Sequence, residues 1–578
     1  MSEAFLLQYK ACGKDNGRGR QMGIYVNPMN NSMMGAVNSE IYVDKTGLLK
    51  ILNRAIGTEK RCFAVSRARR FGKSMAAGMI DAFFSRGCDS RKLFSPFEIA
   101  KDPGFDRYLN KFNVLHFDVS TFFNSAGTPE EIVPLMDSRL LSEMTEEFPY
   151  LKEMKPGNTS EAIGMVYKKE KCRFIVIIDE YDCIVRDDPD NGTLIKQYLK
   201  YLRGFFKTEE SKHFLALGYI TGILPIKKVD GESALNNFSE FTMTDPDMLS
   251  TYFGFTQREV LDLCDKYDMD PDSMNEWYDG YFMYEHTDQD PVGTIEEGLD
   301  GSIQIIDGDT MILKHMYNPN SVVEAIIRHR YMSYWKNTGS FASLRNLISM
   351  NYSGLKDDVI RMLTGEKCRV DISGFQNDMI QFKAKDDVLT CLIHMGYLGY
   401  DVLRKEAFIP NREVAEVYEA AVKTGDWDDV GEALRRSEDL LRATWDMDEK
   451  RVAEAISSSH QDYASIISFF DENALATAIM VSYYTARSRY YVKREMPAGR
   501  GFADIAFIPK HEGSCPAMII ELKWNRNAKA AIKQIKDKNY AGLFADYKGE
   551  ILLVAINYSK KSGRYSCKIE KRENDWTL

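Results

Sequence analysis

Phe174-Ile-Val-Ile-Ile178 runs without a polar residue straight into Asp179-Glu180. A half-exposed strand alternates apolar and polar, so this run predicts a strand covered on both faces, as in the interior of a parallel sheet. Its companions are Cys62–Ser66, the alternating Val114–Asp118, and Phe214–Ile220, with helical patterns between them such as Gly192–Phe206. Strands alternating with helices predict a mainly parallel α/β sheet. A chain of 578 residues has room for two to four such units at ~150 residues each. Its 44% hydrophobic and 28% charged residues exclude collagen-like, low-complexity and largely disordered classes.

No apolar run reaches the ~18 residues of a membrane span, and the first twenty residues lack the pattern of a signal peptide. The ten cysteines show no CxxC spacing and read as reduced thiols. The expectation is a cytoplasmic protein with no membrane partner. The net charge of -10 argues against binding nucleic acid through overall charge. Locally the balance reverses: Thr485–Tyr540 holds twelve Lys/Arg and five Asp/Glu, a net of +7. Glu285–Asp309 does the opposite, with eight acidic residues and no Lys or Arg. Its Asp300-Gly301 and Asp307-Gly308 pairs predict a hairpin-like loop. The segment to about Asn38 reads as a loosely packed lead-in.

The turn after the first strand is Ser66-Arg-Ala-Arg-Arg-Phe-Gly-Lys-Ser74. Gly72-Lys73-Ser74 between strand and helix is the second half of a phosphate loop. There, N–H groups at the helix start face phosphate oxygens. Lys73 would reach the β- and γ-phosphates, and the Ser74 hydroxyl would ligate Mg²⁺. Arg67 replaces the first glycine, so the alternative is a basic surface turn. Arg67, Arg69 and Arg70 could steer phosphate, and Arg70 is the one taken as nucleotide-binding. Asp179, ending the apolar strand, would hold Mg²⁺, and Glu180 would act as general base. Thr221 ends the next strand, where a γ-phosphate sensor is expected. An arginine finger supplied in trans would require a homo-oligomer.

Tyr42-Val-Asp-Lys-Thr46, Ser66–Ser74 and Ile178-Asp-Glu-Tyr-Asp182 resemble the predicted AAA-ATPase-like family of bacterial proteins. Phe253-Gly-Phe-Thr256, Trp277-Tyr-Asp-Gly-Tyr281, Tyr317-Asn-Pro-Asn-Ser321 and Tyr334-Trp335 extend the resemblance across Gly23–Ser340. It implies an AAA-like P-loop NTPase core with a helical lid, binding ATP. Ala68 stands where the family has proline.

Toward the C-terminus, Asp504 leads into Ile505-Ala-Phe-Ile508, and Ala517-Met-Ile-Ile-Glu-Leu-Lys-Trp524 follows. Alternation puts Glu521 and Lys523 on one side of the strand and Leu522 on the other. Asp504, Glu521 and the Leu522 carbonyl would make an oxygen-rich site for Mg²⁺, or Mn²⁺, with Lys523 beside the attacking water. The alternative is two surface salt-bridge strands. Helical patterns near Asp471–Tyr483 and Ala528–Leu543 and a strand at Ile551–Ile556 complete an αβββαβ order. This order resembles the PD-(D/E)xK nuclease superfamily over Asp462–Ser559, a restriction-endonuclease-like domain found fused to the AAA-like family. The resemblance implies that Asp504 and Glu521 bind metal, Lys523 is catalytic, and Gln534 and Tyr540 contact substrate. Glu472 is a candidate third acid, and Glu495 a weaker one. Trp524 is a candidate for base stacking.

The expected boundaries are 1–250 for the nucleotide-binding domain, 251–346 for the helical lid, 347–460 for a mostly helical linker, and 461–578 for the nuclease-like domain. Gly396-Tyr-Leu-Gly399 and Ile409-Pro-Asn-Arg-Glu-Val414 are assigned no chemistry. The histidines form no zinc signature. The expectation is an ATPase and Mg²⁺-dependent nuclease cutting nucleic acid, with DNA favoured, gated by nucleotide. The competing reading is a nucleotide switch whose C-terminal domain binds without cutting.

Overall fold

A computed structural model of the chain describes residues 23–226, 228–229, 232–233, 235–286, 302–306, 309–335, 340–350, 352–363, 365–375, 382–424, 428–463, 479–480, 482–498, 501–510, 515–524, 532, 547 and 549–572. It divides into two compact units. The first comprises residues up to Leu347, Tyr352–Gly354 and Lys367–Val417; the second comprises Ile348–Asn351, Leu355–Glu366 and Tyr418 onward. The stretch 347–460, expected as one linker, is thus shared between them.

The first unit is built on a parallel sheet of β1 (Cys62–Ser66), β2 (Asn113–Asp118), β3 (Phe174–Asp179), β4 (Leu215–Gly222) and, after a short ribbon of β5 (Lys228–Val229) and β6 (Glu232–Ser233), β7 (Ser239–Phe241). Their order is β2-β3-β4-β1-β7. The unbroken apolar run of β3 is covered on both faces. Phe174, Val176 and Ile178 enter one hydrophobic core, and Ile175 and Ile177 enter another. Each such side chain contributes roughly 1.5–3 kcal/mol on burial. The helix Lys73–Phe84 packs its Ala77, Ile80, Phe83 and Phe84 into the second core.

The order has a chemical consequence. β4 lies between β1 and β3, with Ser66 opposite Gly222 and Ile178 opposite Ile220. The turns after β1, β3 and β4 therefore open at one edge of the sheet, where α/β folds bind ligands.

Residues 251–346 are less helical than their sequence suggests. Helices Gln257–Tyr267, Pro271–Tyr278 and Pro319–Arg328 frame a second sheet of β8 (Phe255–Thr256), β9 (Tyr281–His286), β10 (Ser302–Ile306) and β11 (Asp309–Tyr317). β10 and β11 pair antiparallel with Ile306 opposite Asp309, as the Asp307-Gly308 signal predicts; those two residues and 287–301 lie outside the described residues. A small sheet of β12 (Cys368–Arg369), β13 (Gly399–Asp401) and β14 (Glu406–Phe408) completes the unit.

The second unit carries β15 (Tyr490–Ala498), β16 (Gly501–Pro509), β17 (Ala517–Trp524), β18 (Ile551–Ser559) and β19 (Arg564–Lys571), paired in that order. β15, β16 and β17 are antiparallel, β17 and β18 parallel, and β18 and β19 antiparallel. Three strands followed by a fourth at Ile551–Ser559 fit the expected strand order, and β19 is an additional edge strand. The helical pattern at 528–543 falls outside the described residues apart from Ile532. Among the described residues no helix is long and apolar enough to cross a membrane, and the nine described cysteines are free thiols.

Candidate functional sites

The phosphate-loop turn is held by backbone chemistry that its sequence does not advertise. Arg67 is not a solvated or phosphate-steering side chain. Its guanidinium is fully buried and donates to the carbonyls of Ser66, Phe241, Thr242 and Leu249. It lies over the Phe253 ring at 5.3 Å. Burial pushes its pKa down to about 10, which still leaves it charged at neutral pH. Asn318 donates from Nδ2 to the Arg69 carbonyl at 3.2 Å. The Gly254 N–H donates to the Phe71 carbonyl at 3.1 Å, and the Phe71 ring meets Tyr281 edge-on. Ala68 packs on Gly396, where a Cβ would come within 2.5 Å of its own. Phe253-Gly-Phe, Tyr281, Asn318 and Gly396 from the sequence motifs are therefore parts of one clamp around the loop.

Gly72 has a φ of +88° and caps the helix Lys73–Phe84. A Cβ placed on it meets nothing within 4 Å, so open space lies in front of the loop. Lys73 is buried and donates to the Ala68 carbonyl at 3.2 Å. Burial lowers its pKa, opposed by the negative charges of Glu180, Asp182 and Asp179. Ser74 is exposed. Asp179 is 5% exposed. Burial raises its pKa, while the Ser74 hydroxyl, His116 and Lys73 favour its charged form. Lys73, Ser74 and Asp179 thus share one electrostatic site. Thr221 is fully buried, and its Oγ1 has no hydrogen-bond partner among the described residues. An open glycine, a buried ammonium and an unpartnered hydroxyl suit a bound polyphosphate with its cation.

Glu180 sits at φ +49°, a strained conformation of the kind found at functional turns. Its N–H donates to Asp179 Oδ1 at 2.9 Å, and its Oε2 accepts from Arg186 Nη1 at 3.0 Å. Burial and then the charge of Asp182 raise its pKa; Lys73 and Arg186 oppose them. Arg70 donates from Nη1 to the Tyr334 carbonyl at 3.3 Å.

Three supporting groups escaped the sequence reading. Asp182 is 1% exposed. Its Oδ2 accepts from the N–H groups of Ile223 and Leu224 and from Arg186, tying the acidic turn to the end of β4. Arg186 follows Asp182 at i+4 on a short helix, a spacing that could have signalled the pair. His116 on β2 bonds Asp81 of the phosphate-loop helix. Gly222 shows how closely the turn is fitted: a Cβ there would lie 2.3 Å from Asp182 Oδ1. Gly222→Ala should therefore cost about 1–3 kcal/mol of stability, read as a lowered calorimetric Tm with the acidic turn displaced.

In the second unit, Ile505 stands opposite Ile520, which brings Asp504 alongside the Glu521-Leu522 peptide. Asp504 Oδ2 accepts from the Leu522 N–H at 2.7 Å. Lys523 Nζ donates to Glu521 Oε1 at 2.8 Å. The pair is not on the surface: Glu521 is 1% and Lys523 8% exposed. Leu522 faces the opposite core with Ile520 and Ile505, while Ala517 and Ile519 precede Glu521 on its own face. Among the described residues no three His, Cys, Asp or Glu side chains form a ready cation cage. The Asp504 and Glu521 carboxylates offer hard oxygens of the kind Mg²⁺ or Mn²⁺ takes. Gln534, Tyr540 and Glu472, and the side chains of Glu495 and Trp524, lie outside the described residues.

The chain is 22% identical over 244 residues to an uncharacterized protein in the vnfD 5′ region of Azotobacter chroococcum mcd 1, covering 42% of this chain and 45% of that protein. It thus spans less than half the length of that curated relative. A match to the structure of a Walker-type ATPase of Pyrococcus abyssi covers 65% of this chain and 94% of that one, at 14% identity and a TM-score of 0.30. Residues 36–230 match the family model described as predicted AAA-ATPase, and residues 470–567 match the PD-(D/E)XK nuclease superfamily. One chain therefore joins an AAA-ATPase-like region to a region of the PD-(D/E)XK nuclease superfamily.

Proposed function

We propose that the protein hydrolyses ATP in its first unit and cleaves nucleic acid, DNA in the first instance, with its second, and that nucleotide state controls cutting. The observation that carries the reading is the buried Glu521–Lys523 pair with Asp504 on the adjoining peptide. Taking two charges out of water costs several kcal/mol per ion. An apolar pair would fill that position at no such cost, so a chemical role is the economical account of it.

In the first unit, Gly72 and the N–H groups that follow it would receive phosphate oxygens, and Lys73 would neutralise the β- and γ-phosphates. Ser74 and Asp179 would hold Mg²⁺, which would supply positive charge to offset that of the phosphates. Thr221 would donate to the terminal phosphate. Glu180 would take the proton of the attacking water, and Arg186 would release it to do so. In the second unit Asp504, Glu521 and the Leu522 carbonyl would seat a divalent ion that activates water and steadies the leaving oxygen. Lys523 would orient that water, and Gln534 and Tyr540 would contact the substrate. The excess of basic residues over Thr485–Tyr540 suits a phosphate backbone.

The Glu180–Arg186 ion pair favours a second reading, a switch that binds ATP without turning it over. Phosphate release divides the two. Turnover by the wild type that falls at least ~10²-fold in Glu180→Gln, with ATP binding retained, supports hydrolysis. Binding without release in the wild type supports the switch.

A further inference from the structure

Ile409-Pro-Asn-Arg-Glu-Val414 has no assigned chemistry, yet it forms one joint with Trp277-Tyr-Asp-Gly-Tyr281. Asn411 Nδ2 donates to the Asp279 carbonyl at 2.9 Å, and Asn411 Oδ1 accepts from the Val414 N–H at 3.0 Å. Arg412 lies over the Trp277 ring at 4.2 Å. Gly280, at φ +111°, leaves no room for a Cβ, which would fall 2.1 Å from the Pro410 carbonyl oxygen. The joint delivers Glu413, 1% exposed, to the Tyr334-Trp335 turn. Its Oε1 accepts from the Tyr334 N–H at 2.6 Å, and the Trp335 N–H also favours its charged form. The carbonyl of the same Tyr334 accepts from Arg70 of the phosphate loop. One carboxylate thus grips the turn by its N–H side while Arg70 rests on its carbonyl side.

We propose that Glu413 is a positioning residue of the phosphate loop, fixing the turn that holds Arg70 and so setting where that guanidinium meets the phosphates of a bound nucleotide. The inference rests on the nucleotide-binding reading above. Its electrostatics follow from the groups around the carboxyl. Burial pushes Glu413 up to about 7, while the Ser321 hydroxyl, the two turn N–H groups and Arg70 hold it down. The Tyr278 and Tyr334 phenols also face it, and burial pushes both upward, so they stay neutral. Phosphate drawn onto Arg70 cancels the cation that favours the Glu413 carboxylate. Nucleotide binding therefore makes Glu413 take up a proton, and by linkage protonated Glu413 makes binding tighter. Affinity should fall as pH rises through 7.

The test is calorimetric titration of the full chain with Mg²⁺-ATP at pH 7, in two buffers of different protonation enthalpy. The wild type should take up as much as ~0.5 proton more than Glu413→Gln, a difference that a merely structural Glu413 would not produce. Arg70→Gln should lose the same fraction. Equal uptake by the wild type and a Glu413→Gln protein that still binds ATP overturns the proposal. If Glu413→Gln does not fold, wild-type uptake in Arg70→Gln overturns it instead. Lys73→Ala separates the two levels: if it binds ATP as the wild type does, the nucleotide site itself is misassigned and this inference falls with it.

Discussion

Lys73→Ala should weaken ATP binding by about 10²-fold and abolish the phosphate release expected of the wild type. Lys73 is 5% exposed, so its interaction with phosphate is screened little by solvent. A charge–charge contact near 4 Å is worth ~4 kcal/mol at an effective dielectric of 20, and a hydrogen bond to a charged group about 1.5–3 kcal/mol net. The hydrogen bond alone reaches about tenfold and the charge contact alone exceeds a hundredfold at ~1.4 kcal/mol per factor of ten, so about 10²-fold is the lower end of the expected loss. The free protein should respond as well. Glu180, Asp182 and Asp179 all act on Lys73. Without it the Asp179 and Glu180 carboxyls, already pushed up by burial, should rise further and take up protons. Titration with ATP, with circular dichroism to verify the fold, measures the first effect. A variant that binds ATP unchanged contradicts the assignment of the loop.

Glu521→Gln should have two effects that can be pulled apart. Metal-dependent cleavage should fall at least ~10²-fold, since even groups behind the metal ligands cost 10–100-fold when removed. Stability should fall too, because Lys523 Nζ would lose its carboxylate partner at 2.8 Å in a buried position. Removing one partner of a buried pair typically costs 3–5 kcal/mol. The double variant Glu521→Gln/Lys523→Met removes both charges and should recover most of the stability while remaining inactive. Thermal melting and a cleavage assay on the two variants provide the readouts. A double variant that stays as unstable as the single one, or a single variant that still cuts, contradicts the role given to the pair.

Both constellations are legible in the sequence for the same physical reason. A continuous apolar run ending in Asp179-Glu180 has few structural explanations, and the structure covers Phe174–Ile178 on both faces. The strand Ala517–Trp524 likewise announces its alternation, and Glu521 and Lys523 emerge on one face. What is not legible depends on distant pairing. Tyr281–His286 falls in the segment expected as a mostly helical lid, and its short mixed run carries no decisive period of its own. It is a strand only through its pairing with β11, which sets Tyr281 opposite Met316. Arg67 departs from the phosphate-loop pattern, and nothing local reveals that its guanidinium finds carbonyls at Phe241, Thr242 and Leu249. Glu413 looks like an ordinary helix-start acid until the Trp277–Tyr281 joint places it beneath Tyr334. The edge strand β19, only intermittently buried, has too weak an alternation to stand out.

The most direct measurement is cleavage of single- and double-stranded DNA and RNA by the full chain with Mg²⁺ or Mn²⁺, with and without ATP, comparing the wild type with Lys73→Ala, Lys523→Ala and Asp504→Ala. The account predicts metal-dependent cutting by the wild type that changes with ATP. It predicts none in Lys523→Ala or Asp504→Ala, and cutting indifferent to ATP in Lys73→Ala. A wild type that cuts no substrate under any of these conditions, or cutting that survives Asp504→Ala, would contradict it.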